Sequence, residues 1–77
     1  MTMNYPVIDT RATGARIKAL RLAKGLTVRE VQAALGFDEP QAIYKWERGR
    51  SLPSTDNLLA LSLLLKVPIE QILVYNK

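Results

Sequence analysis

Residues 27–49 read TVREVQAALGFDEPQAIYKWERG, and this stretch decides the fold. Thr27 stands three residues before Glu30. In that Thr-x-x-Glu pattern the hydroxyl and the carboxylate each satisfy an orphan backbone N–H at a helix start. Val31, Ala34 and Leu35 then give an inward face, and Gly36 stops the helix, since a left-handed terminal residue costs Gly little. A second helix is expected to begin near Asp38, with Gln41 three residues on as another box and Pro40 in the first turn, where its missing N–H has no partner to lose. Ile43, Trp46 and Glu47 share one face of it, and Gly49 closes it. Two short helices joined by a tight turn result.

Working outward, helical periodicity extends over the rest. The segment from about Thr10 to Lys24 places Ile17, Leu20 and Lys24 on a face with Arg21 at spacings of three and four, and Gly25 ends it. After the breaker Leu52-Pro53, Ser54 caps a fourth helix with Asp56 in its first turn. Leu58, Leu61, Leu64 and Leu65 anchor that helix inward. A short fifth helix from about Pro68 to Val74 buries Ile69, Ile72 and Leu73. No period-two alternation lasts long enough for a strand inside the domain; the one β-like fragment is Tyr5-Pro6-Val7-Ile8. The expected architecture is all-α with five helices: residues 1–9 form an extended or disordered arm, and residues 10–77 a single domain.

Composition narrows the function. The chain has 77 residues, and a domain of that size buries only a little over ~60% of its unfolded surface. It contains no Cys and no His, which removes disulfides, imidazole bases and zinc sites built from those ligands. No metal, cofactor or enzyme activity is expected. The first nine residues lack the pattern of a secretory signal. The most apolar run, Leu58 to Leu65, is eight residues long, far short of the ~20 a membrane-spanning helix needs. A cytoplasmic protein away from membranes fits these features. Eleven Lys and Arg against seven Asp and Glu give a net charge of +4, which favours a polyanionic partner or acidic surface. Residues 51–77 balance Lys66 and Lys77 against Asp56 and Glu70, so the excess lies in the first fifty residues.

The order Arg21, Gly25-Leu26-Thr27, Ala34-Leu35-Gly36, Ile43-x-x-Trp46-Glu47-Arg48-Gly49 and Pro53, followed by the terminal LLKVPIEQIL, resembles the lambda-repressor-like (Cro-type, XRE) helix-turn-helix family. The resemblance covers about Ala15 to Val74. It implies a five-helix domain whose third helix enters the DNA major groove, and it implies by position that Arg21 and Glu47 pair inside the domain as a structural ion pair. The chain departs from the family pattern in four places. One extra residue lengthens the turn between Gly36 and Ile43. Val28 stands where many members carry a phosphate-binding polar residue. Gln32 stands where a small Ala usually packs, and Lys66 and Pro68 replace the usual Gly and Ser before the last helix.

With Ile43 and Trp46 inward, a step of about 100° per residue puts Gln41, Tyr44, Lys45 and Arg48 on the outward face. Gln41, in the helix's first turn, suits a bidentate contact to adenine. Tyr44 can lie on a thymine methyl or be partly buried, and Lys45 can reach guanine acceptors or remain a solvated charge. Phosphate candidates are Thr27 and Arg29 at the start of the second helix, Arg48, Arg50 and Ser51 just after the third, and Asn57 at the fourth. Arg11, Arg16, Lys18 and Lys24 form a general electrostatic rim. The expected partner is double-stranded DNA, bound sequence-specifically as a homodimer on a pseudo-palindrome, with repression as the regulatory sense. The dimer would use the last helix (Ile69, Val74, Tyr75) or the arm. An antitoxin or adaptor that holds a protein partner on the same fold is the alternative.

Overall fold

A computed structural model describes residues 5–76; residues 1–4, the beginning of the expected arm, and residue 77 lie outside the described part. Five helices follow one another: α1 (Thr10–Ala23), α2 (Val28–Leu35), α3 (Gln41–Glu47), α4 (Thr55–Leu65) and α5 (Ile69–Ile72). A two-stranded antiparallel ribbon frames them, β1 (Val7–Ile8) pairing with β2 (Tyr75–Asn76) so that Val7 faces Asn76 and Ile8 faces Tyr75.

Polar side chains start three of the helices. Asp9 accepts the N–H of Ala12 at 2.9 Å and begins α1. The Thr27–Glu30 box is complete: the N–H of Glu30 donates to the Thr27 hydroxyl and the N–H of Thr27 to the Glu30 carboxylate, both at 3.0 Å. Ser54 accepts from the N–H of Asn57. At the C-terminal ends, Gly36 (φ +73°) and Gly49 (φ +72°) adopt the left-handed conformation. Lys66 also does so at φ +57°, ending α4 in a backbone region that side chains with a Cβ rarely occupy.

Three expectations are corrected here. The box from Asp38 to Gln41 does not form, and α3 begins at Gln41 after Pro40, with no side-chain cap. The residue before a proline is pushed away from helical geometry, so Glu39 cannot serve as the first residue of a helix started at Asp38. On α2, Ala34 is exposed, and the inward face is Val28, Val31 and Leu35. The last helix is only Ile69–Ile72. Leu73 is extended at ψ 129° and leads into β2.

That turn-out follows from hydrogen bonds to α1. The N–H of Asp9 donates to the carbonyl of Val74 at 2.8 Å. The N–H of Val74 donates to the Thr13 hydroxyl at 2.9 Å, and that hydroxyl donates back to the Val74 carbonyl. Thr13 is fully buried, so its polar group needs such a partner. These bonds hold Val74 beside the start of α1 and give the buried Thr13 hydroxyl its partner.

The core is Ile17, Val31, Ile43, Trp46, Leu61, Leu65 and Ile72, one or two side chains from each helix. Phe37, from the α2–α3 turn, meets Trp46 edge-on with ring centroids 5.9 Å apart. No helix among the described residues is long and apolar enough to cross a membrane.

Candidate nucleic-acid interface

The outward side of α3 forms as its periodicity dictates. Ile43 and Trp46 are buried, while Gln41, Tyr44, Lys45 and Arg48 are exposed. Tyr44 keeps 43% of its surface exposed, so it is at once partly covered and accessible from outside. The Arg48 guanidinium carbon lies 5.7 Å from the centre of the Tyr44 ring, within range of a cation–π contact.

Glu47 turns the other way. Its carboxylate takes both arms of the Arg21 guanidinium, Nε to Oε2 at 2.7 Å and Nη2 to Oε1 at 3.0 Å. Nη1 of Arg21 donates to the Leu26 carbonyl at 2.9 Å. The two side chains keep only 10% and 7% of their surface exposed. The hydrogen bond to Glu47, reinforced by the carboxylate's charge and opposed by burial, raises the Arg21 pKa above its ordinary value, so the guanidinium stays charged. A planar fork on a carboxylate is the geometry Arg offers and Lys does not. The acid of α3 is thereby matched inside the domain, and the segment from Lys45 to Arg50 shows only positive charge outward.

The phosphate candidates are placed unevenly. Thr27, Arg29, Arg48, Arg50 and Ser51 are exposed, and Asn57 is half-buried. Thr27 is already engaged: its N–H goes to Glu30 and its oxygen takes the Glu30 N–H, and its hydroxyl also favours the Glu30 carboxylate. Arg29 shares a shallow concavity between α2 and α3 with Val28, Gln32, Glu39, Pro40 and Tyr44. Val28, at the position where a polar contact is common in the family, packs against the core instead.

The sequence reading missed Gly14, and it missed the close approach that Gly49 makes and the bonds that Gln32 makes. Gly14, in the middle of α1, lies where a Cβ would run into the carbonyl oxygen of Trp46 and come within 3.0 Å of the Glu47 carbonyl and the Gly49 N–H. At Gly49 an added Cβ would approach the Arg11 Cα to 2.6 Å. The two glycines bring α1 against the end of α3 nearly backbone to backbone. A glycine inside a helical run gives no sign of whether space or only low propensity surrounds it. Gln32, noted only as a departure from the usual small residue, hydrogen-bonds to the turn through its side chain.

A family model described as helix-turn-helix matches residues 17–72, which span all of α2, α3, α4 and α5. The chain belongs to the XRE-type helix-turn-helix family. This XRE-type domain carries the DNA-binding fold used in transcription regulation. Among solved structures it is similar to the restriction-modification controller protein C.AhdI from Aeromonas hydrophila, at 28% identity and a TM-score of 0.75, with 83% of this chain and 96% of that one covered. It is also similar to the clp gene regulator ClgR from C. glutamicum, at 28% identity and a TM-score of 0.71 over 82% of this chain and 80% of that one. The DNA-binding domain of S. venezulae BldD, 22% identical with a TM-score of 0.73 over 86% and 97% of the two chains, shares the fold. No curated protein matches the sequence significantly.

Proposed function

We propose that this chain is a transcription repressor that binds a pseudo-palindromic operator as a homodimer, each copy laying α3 in the major groove. The observation that carries this reading is the exposed side of α3, which presents Gln41, Tyr44, Lys45 and Arg48 while Glu47 is locked onto Arg21. The likeness to a restriction-modification controller and to a clp gene regulator supports a regulatory role, and a cytoplasmic location goes with it. Gln41, Tyr44 and Lys45 touch bases, whereas Thr27, Arg29, Arg48, Arg50, Ser51 and Asn57 touch phosphates and set orientation without reading sequence. One half-site discriminates too little, hence two copies.

The test is binding to random duplex DNA across salt, followed by selection of preferred sites. Engagement of ~6–10 phosphates makes affinity fall ~10³–10⁵-fold between about 50 and 200 mM salt, and binding indifferent to salt sinks the DNA reading. Gln41→Ala relaxes discrimination at one base pair by ~1–3 kcal/mol and leaves the fold intact. Sedimentation of the complex, with two chains per operator expected, decides the dimer.

A second reading, an antitoxin or adaptor with a protein partner, draws on α4. Leu59 and Leu63 stand one helical turn apart there, 53% and 71% exposed, with no charged residue between Asp56 and Lys66. Co-purification of a different chain, bound in place of a second copy, would favour that reading.

A further inference from the structure

α3 is held at its C-terminal end by α1, through the close approach of Gly14 and Gly49 and the Arg21–Glu47 pair. Its N-terminal end, where Gln41 sits, depends on the turn. Gly36 and Phe37 close α2 with paired backbone bonds, the N–H of Gly36 to the Ala33 carbonyl and that of Phe37 to the Gln32 carbonyl, the pattern of a Schellman ending. The Phe37 ring is fixed against Trp46. Asp38, Glu39 and Pro40 then span the gap to a helix that starts without a side-chain cap.

The side chain that reaches into this gap is Gln32, half-buried on α2. Its amide Nε2 donates to the Phe37 carbonyl at 3.2 Å and to the Asp38 carbonyl at 3.1 Å. Gln32 thus grips the turn three times, once by its own carbonyl and twice by its side chain. The chain departs from its family both in a turn longer by one residue and in a Gln where a small residue is usual. The two departures meet in these bonds: the long amide-bearing side chain occupies the donor positions that the longer turn requires.

We infer that Gln32 is a positioning residue for DNA readout, setting the rise and rotation of the N-terminal end of α3. The inference rests on the reading of α3 as the element that touches bases. A shift of one residue along a helix moves a side chain by ~1.5 Å and turns it by about 100°, so a small error in the turn displaces Gln41 from a base edge. Because α1 pins the far end, the error shrinks along the helix. It is largest at Gln41, smaller at Lys45 and absent at Arg48 and Arg50. Gln32 itself need not touch DNA.

The experiment uses the full chain. Gln32→Met keeps the length and apolar stem of the side chain and removes both donors. Site selection and affinities for the preferred and for random duplex are measured for wild type, Gln32→Met, Gln41→Ala and the double variant. Expected is a loss of about tenfold in discrimination at the base pair that Gln41→Ala relaxes, with random-duplex affinity and salt slope unchanged. The double variant loses no more at that base pair than Gln41→Ala alone, because one contact is being lost by two routes. Unchanged site preference with a lower Tm overturns the inference, as does an equal loss of affinity on every sequence. Gln32→Leu, which likewise lacks both donors and adds no charge, repeats the test should Gln32→Met not fold; if neither folds, the residue is structural and the inference fails. A wild-type chain without sequence preference instead removes the DNA reading itself, a separate outcome.

Discussion

The two flanks of α3 are built in opposite ways. On the α1 flank, backbone meets backbone at Gly14 and Gly49, and a two-armed ion pair lies almost out of solvent. On the α2 flank, a turn of five residues is held by two backbone bonds to α2, the Phe37 ring against Trp46 and the hydrogen bonds of one half-buried amide. Contacts of the first kind have a single fit, because a carbonyl or a buried charge has nowhere to move. Bonds of the second kind can be exchanged for others or for water at modest cost. The domain therefore fixes where α3 sits from α1 and adjusts how its tip is aimed from α2. Changes on the first flank should appear as lost stability, and changes on the second as altered readout.

The strongest attack on this contrast is Glu47→Ala. It leaves the Arg21 guanidinium buried without its counter-charge, which costs ~3–5 kcal/mol, a large share of the ~5–15 kcal/mol that holds a domain folded. Urea unfolding reads the loss directly. A variant as stable as wild type would show that the pair is dispensable and that α1 does not pin α3. The double change Arg21→Met with Glu47→Leu removes both charges and is expected to lie much nearer wild type.

Next in size is Gly14→Ala. Intrinsic propensity favours Ala in a helix interior by ~1 kcal/mol, so an unobstructed site would gain stability. Here the new Cβ meets the backbone carbonyls of Trp46 and Glu47, and forcing atoms into a filled space costs ~1–3 kcal/mol, occasionally more. The clash is with rigid backbone, so the net effect is a lower Tm. A higher Tm would mean that α1 and α3 can part slightly, which would make the α1 flank as adjustable as the other.

The residues that local rules govern could be read in advance. The Thr27–Glu30 box, the Ser54 cap and the left-handed glycines depend on neighbours three or four residues away. The outward set Gln41, Tyr44, Lys45 and Arg48 followed from Ile43 and Trp46 facing inward. The Arg21–Glu47 pair, 26 residues apart in sequence, came only from the resemblance to a family. What stayed hidden depends on a distant partner with no local mark. Gly14 is explained by α3, Thr13 by the returning Val74, and Gln32 by a turn whose path cannot be read from its own residues. The false capping box at Asp38 is a different kind of miss, local and visible in the sequence. Its spacing satisfied the pattern, and Pro40 overruled it.

The smallest expected effect concerns the foundation of the α2 flank, the Thr27–Glu30 box. The backbone N–H of Thr27, and then its hydroxyl, favour the ionised carboxyl of Glu30 and lower its pKa from the ordinary 4.5. A carboxyl with a depressed folded-state pKa adds stability that is fully present above its unfolded value and is lost as pH falls through the folded one. The window therefore opens just below pH 4.5 and extends downward. Glu30→Gln keeps an oxygen that can accept the Thr27 N–H but does not titrate. The stability difference between wild type and Glu30→Gln, measured by urea unfolding at successive pH values, is thus expected to favour wild type most near neutrality and to shrink as acid is added. A difference that grows with acid would place the titration elsewhere and leave α2, with the turn that Gln32 holds, anchored by something other than its cap.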